Sequence, residues 1–184
     1  MRKLVVIIIL TTIYFLLPKT ISGQLISGHS ATMTYNSKTD ASLKNSIIKK
    51  IVIRRVLDKY TSPLLDETDS FIKSCNNYNL DCYLLPSITG LESSFGRYIY
   101  PNSFNPFGWG GGYIMFDNWS LAINTVAKGL RENYINKGAE TIEQIGPIYA
   151  ESPTWAVRVK YFKNIFEIEE EKVSLLLGKN EVEL

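Results

Sequence analysis

The sequence predicts an all-α domain, α+β at most, with room for one small hairpin. Two observations carry this. From Ser62 to about 168, apolar residues recur at helical rather than alternating spacing, and residues with helix-start and helix-stop chemistry bracket each run. Residues 97–117 read as loop with at most a short hairpin, because Gly108, Gly110, Gly111 and Gly112 crowd together there. A chain of 184 residues that is 45% hydrophobic suits one domain with a real apolar core.

Taken in order, 24–41 is rich in Ser, Thr, Asn and Gly without periodicity and reads as a linker. A basic amphipathic helix is expected over 42–60, with Leu43, Ile47, Ile48, Ile51, Val56 and Leu57 on its apolar side. Its cations would either meet acidic polymers or lipid headgroups, or stay solvated while the helix packs on the domain. Ser62-Pro63 opens the main domain, with Asp66, Glu67 and Asp69 in the early turns. Helices are expected over about 84–95 (opened by Asp81, ended by Gly96), 119–136, 141–150 and 153–168. Residues 169–184 read as an acidic tail.

The net charge of +2 hides an uneven distribution. Residues 1–23 carry +3, 24–60 carry +5 and 61–184 carry −6, which argues against a nucleic-acid backbone as the main domain's partner. The single histidine, His29, sits outside any folded motif, so Ser-His-Asp and Cys-His catalysis and histidine-rich zinc sites lack their imidazoles. No glycine-rich phosphate cradle is present. Catalysis would rest on carboxylates, hydroxyls or thiols, with no cofactor or metal implied.

Met1-Arg2-Lys3 followed by uncharged Leu4–Leu17 has the form of an export signal over 1–23. A fourteen-residue helix spans about 21 Å, short of the roughly 30 Å hydrocarbon core. Ile21 weakens the cleavage site, leaving removal and retention as an anchor both open, with the domain outside the cytoplasm in either case. Export would permit a Cys75–Cys82 bridge across a turn-rich connection, worth about 2.5 kcal/mol in the chain-entropy picture. The alternative is two free thiols in small core positions.

Leu84, Ile88, Leu91 and Phe95 make one apolar stripe, and Glu92 lies beside it in the last turn of its helix. Desolvation and the helix dipole both push a carboxyl there toward its protonated form, the form needed to protonate a glycosidic leaving oxygen. The plainer reading is a surface glutamate at a helix end. Residues 95–119 hold nine aromatics, a density that suits sugar rings, and Trp109 is expected to be the most exposed.

The run Leu85-Pro86-Ser87-Ile88-Thr89-Gly90-Leu91-Glu92-Ser93-Ser94-Phe95-Gly96 resembles the catalytic helix of the lysozyme-like superfamily. Asn105-Pro106-Phe107-Gly108-Trp109-Gly110 is similar to the "N-x-F-G" segment of bacterial peptidoglycan endo-β-N-acetylglucosaminidases. Phe116-Asp117-Asn118-Trp119, with Leu121-Ala122-Ile123, resembles that family's next helix entry, and Ile148-Tyr149-Ala150 with Trp155-Ala156 its late "YA" segment. The likeness covers about 62–168, in order. It implies a lysozyme-like helical domain with an aromatic-lined cleft that cleaves β-1,4 bonds of peptidoglycan. Glu92 would be the general acid and Tyr149 the active-site tyrosine, with Ser93, Asn105, Phe107, Gly108, Trp109 and Trp155 lining the substrate site. The family places a second carboxylate on a hairpin after "FG". Here Gly110–Met115 has no acid and Asp117 is the nearest. A lytic transglycosylase or muramidase on the same scaffold, and a non-catalytic wall-binding module, are the rival readings. Membrane association through 4–17 and 42–60 is compatible with each.

Overall fold

The structure, a computed structural model, describes residues 37–179. The expected signal over 1–23, residues 24–36 of the linker expected over 24–41 and the last residues of the tail, 180–184, lie outside the described residues. Among the described residues six α-helices follow one another: α1 Ser37–Lys59, α2 Thr68–Asn77, α3 Leu84–Ser93, α4 Trp119–Asn133, α5 Ile142–Tyr149 and α6 Trp155–Lys179. Short 3-10 turns precede α2 (Leu65–Glu67) and follow α4 (Ile135–Lys137). The fold class is all-α. No strand forms among the described residues, and 97–118 is a run of turns rather than a hairpin. None of the described helices is long and apolar enough to cross a membrane.

Local chemistry accounts for where the helices begin and end. The Asp81 carboxylate accepts the Tyr83 N–H at 2.8 Å ahead of α3. Pro86 falls in the first turn, where its missing N–H costs nothing. Asn118 caps α4 by accepting from the Leu121 N–H at 2.8 Å, and Thr141 with Gln144 forms a capping box on α5. Helix α3 stops at Ser93, earlier than its apolar spacing suggests. Ser94 (φ 49°) and Phe95 (φ 60°) turn left-handed ahead of Gly96, and the Phe95 N–H bonds the Thr89 carbonyl at 2.9 Å.

Helix α6 is the member around which the rest is arranged, packing against α1, α3 and α5, while α2 packs on α4. Three expectations change as a result. The helix expected over 42–60 starts at Ser37, which shortens the linker, and it belongs to the domain core: Val52, Ile53, Val56 and Leu57 are buried. Packing on the domain was one of the two readings open for this helix, and three of its cations pair within the protein. Lys49 pairs with Glu170 (3.4 Å), Arg55 with Glu169 (3.0 Å) and Lys50 with Asp69 (2.6 Å). The acidic tail expected from 169 is, through Lys179, a continuation of α6, held by buried Val173 and by those pairs. The boundary expected at 61 therefore falls within a single compact unit of the described residues. Between α2 and α3, Cys75 and Cys82 are joined as a disulfide.

Candidate functional site

The end of α3 and the segment that follows it are tied together by two buried polar side chains. Ser93 Oγ donates to the Pro106 carbonyl at 2.7 Å and accepts from the Gly96 N–H at 2.9 Å. Asn105 Nδ2 donates to the carbonyls of Trp109 (2.8 Å) and Ile114 (3.1 Å), and its Oδ1 accepts the Trp109 N–H at 3.1 Å. One asparagine thus satisfies three backbone groups of a segment that has no ladder to satisfy them. Ser93 and Asn105, expected to bind substrate, are instead buried framework residues whose hydrogen-bonding capacity is used internally.

That framework sets Gly108 directly against the Glu92 carboxyl. Gly108 has φ +65°, and a Cβ built there would lie 2.9 Å from Glu92 Oε2. The other carboxyl oxygen, Oε1, accepts a hydrogen bond of 2.7 Å from Trp155 Nε1 at the start of α6. The indole ring of Trp155, only 2% exposed, stacks on Tyr149 of α5 with centroids 4.7 Å apart. The Tyr149 hydroxyl donates to the Phe107 carbonyl at 2.7 Å, closing the circuit back to the residue before Gly108. Three helices and one segment are therefore coupled through a single half-buried carboxyl.

Burial raises the pKa of Glu92 above the ordinary glutamate range, against the Trp155 hydrogen bond and the positive charge of Arg158, which pull it down. Burial also drives the Tyr149 hydroxyl well above its ordinary value, with Glu92 and Tyr134 adding to the shift, so the phenol stays a proton donor. Trp109, Tyr134 and Tyr149 gather beside this pair, with centroid separations of 5.7–6.3 Å.

Trp109, expected to be the most exposed aromatic, is half-buried. Its ring lies over Gly129 of α4, where a Cβ would meet Cζ2 at 2.8 Å. Phe107, expected to line a cleft, is fully buried in the core and offers only its carbonyl. Trp155 reaches the site through the carboxyl rather than as an open platform. Asp117 is exposed, one residue before the Asn118 cap.

Arg158 and Tyr134 went unnoticed in the sequence. Arg158 was within reach, because it lies three residues after Trp155 and so on the same helix face. Tyr134 follows the last turn of α4, and no pattern in the chain marks it. Among the described residues no group of three His, Cys, Asp or Glu side chains is placed to hold a metal ion. Comparison with protein-family models and with curated proteins gives no match for the chain.

Proposed function

We propose that the protein is an exported cell-wall glycan hydrolase that cleaves β-1,4 bonds of peptidoglycan in the manner of an endo-β-N-acetylglucosaminidase, with Glu92 as general acid on a lysozyme-like helical scaffold. The observation that carries this is the fixed, half-buried carboxyl: Oε1 held by Trp155 Nε1 at 2.7 Å and Oε2 set against Gly108. A carboxyl whose pKa is raised by burial holds its proton to higher pH than an ordinary glutamate, and holding one oxygen by an indole N–H directs that proton to the other. The disulfide fits an oxidising, extracytoplasmic compartment.

In this reading Glu92 transfers its proton to the glycosidic oxygen as the C1–O bond breaks, the bonding pair leaving with that oxygen. The acetamido carbonyl oxygen of the same sugar closes onto C1. Water then opens that ring, its proton returning to the Glu92 carboxylate. Substrate assistance is the economical route because 108–116 contains no acid. Tyr149 acts by holding the Phe107–Gly108 backbone, since its hydroxyl is committed to the Phe107 carbonyl. Trp109 and the half-buried edge of Tyr149 supply the apolar wall for a sugar ring.

The test is digestion of purified peptidoglycan by the full chain and by Glu92→Gln, with reduction of the new ends and mass spectrometry. The expected result is reduced N-acetylglucosamine ends from the wild type and a loss of roughly 10²- to 10⁴-fold in the variant. Reduced muramic or 1,6-anhydro ends would reassign the bond or the nucleophile. Equal activity in both proteins would remove Glu92 from the mechanism.

A further inference from the structure

We propose that Tyr100 and Tyr113, with Tyr98, Ile114 and Met115 around them, form a distal subsite that stacks against an uncharged stretch of an N-acetylated glycan strand; this rests on the glycan-hydrolase reading above. In the same segment the aromatic side chains divide sharply. Phe107 is fully buried, and Phe104 sits edge-on to Trp119 at 5.1 Å. Tyr98, Tyr100 and Tyr113 stand out at 68, 56 and 74% exposure, beside Ile114 and Met115, which are also exposed. Tyr100 and Tyr113 are thirteen residues apart, yet their rings meet at 5.8 Å and 61°. An exposed aromatic pair drawn from both ends of one segment is an arranged surface rather than scattered apolar side chains.

Charge chooses the occupant. From 97 to 118 the only Asp, Glu, Lys or Arg residues are Arg97 and Asp117, at the two ends, and the Arg97 guanidinium lies over the Tyr98 ring at 5.6 Å. A surface with so little charge gives no purchase on phosphates of a nucleic acid and little on anionic headgroups. The apolar face of a pyranose, with hydroxyls at its rim, matches a tyrosine ring and its phenol. The surface is also tied to the carboxyl through the backbone. Gly112 N–H bonds the Gly108 carbonyl at 3.0 Å, and Tyr113 N–H bonds that of Gly110 at 3.4 Å, so the turn carrying Tyr113 is built on the glycine that touches Glu92. A strand seated at Glu92 would extend across the tyrosines. The chain is then expected to favour the interior of long strands over their ends.

The test uses the full chain carrying Glu92→Gln to stop turnover, with peptide-free peptidoglycan strands of tetrasaccharide and octasaccharide length, read by calorimetry. Adding Tyr113→Ala is expected to weaken octasaccharide binding about tenfold and leave tetrasaccharide binding unchanged, with Tyr113→Phe restoring it. If the parent binds octasaccharide and Tyr113→Ala binds it equally well, the subsite is overturned while the hydrolase reading stands. If the parent binds neither strand, both fall. If Tyr113→Ala instead reduces sedimentation with anionic phospholipid vesicles, or converts a dimer to a monomer, at unchanged sugar affinity, the surface belongs to a membrane or to a second copy and the proposal is wrong.

Discussion

A carboxyl that holds its proton more tightly in the folded chain than in the unfolded one gives folding a definite pH dependence, and Glu92 is such a group. Below the ordinary glutamate range both states carry the proton and Glu92 contributes no difference. As pH rises, the unfolded chain gives up its proton first, and stability falls until the folded carboxyl has also ionised. Glu92→Gln keeps an oxygen for the Trp155 N–H and removes the titration. The variant is therefore expected to lose activity and to gain stability relative to the wild type as pH rises from acid to neutral. Urea unfolding midpoints of the two proteins across that window check this: the gap should widen with pH, and a constant gap would contradict the assignment. The same residue shows how far a sequence can be read. Its place in the last turn beside an apolar stripe was legible, because both depend on spacing along one helix. Its hydrogen bond to Trp155, sixty-three positions away, and its contact with Gly108 depend on how separate segments meet, which no local pattern encodes.

The helices carry their own logic, and it is most exacting where α3 crosses α6. Gly90 lies one turn from Ser93 and Ser94, in the middle of that contact. A Cβ there would meet Phe162 ring carbons at 2.7 and 2.9 Å and Phe95 Cζ at 2.9 Å. Phe95 is fully buried and sits edge-on to both Phe162 (5.5 Å) and Phe166 (6.1 Å), so the rings have little freedom to retreat. Gly90→Ala would gain up to about 1 kcal/mol of helix propensity and lose about 1–3 kcal/mol to overpacking. Set against the full propensity gain, the expected outcome is a net destabilisation of up to about 2 kcal/mol, measured by chemical unfolding, with the proposed activity reduced because α3 carries Glu92. A stabilised variant would mean that α3 and α6 separate more easily than the packing implies. Helical spacing located α3, α4 and α5 to within a few residues, but began α1 five residues late and ended α6 eleven residues early. It failed at their boundaries wherever side chains from elsewhere decide. Phe95 continued the apolar stripe on paper, yet it leaves the helix at φ 60° and reaches the same core from a left-handed turn. That 97–117 is loop was legible, but its internal bonding was not, for a related reason: one buried asparagine bonds three of its backbone groups, and a lone Asn105 resembles any loop asparagine in a sequence.

At the scale of the molecule, α1 and the far end of α6 looked like accessories in the sequence because each is strongly charged, one basic and one acidic. They proved to be partners: the charges pair across the two helices while Val52, Val56 and Val173 are buried. Surface pairs of this kind contribute little each, typically up to about 1 kcal/mol, so apolar burial is what holds α1 in place. The disulfide is a different kind of constraint. Cys75 closes α2 and Cys82 precedes α3, with a sequence separation of seven. The chain-entropy picture assigns such a loop about 2.5 kcal/mol, acting mainly on the unfolded state. The bridge is no member of the hydrogen-bond and ring circuit of Glu92, Trp155, Tyr149 and Phe107. Replacing both cysteines by serine is therefore expected to lower unfolding free energy by about 2–3 kcal/mol and to leave kcat unchanged at temperatures where the variant stays folded. Parallel unfolding curves and peptidoglycan-digestion rates separate the two effects. A fall in kcat well below the unfolding transition would show instead that the bridge sets the position of α3, and with it the Glu92 carboxyl.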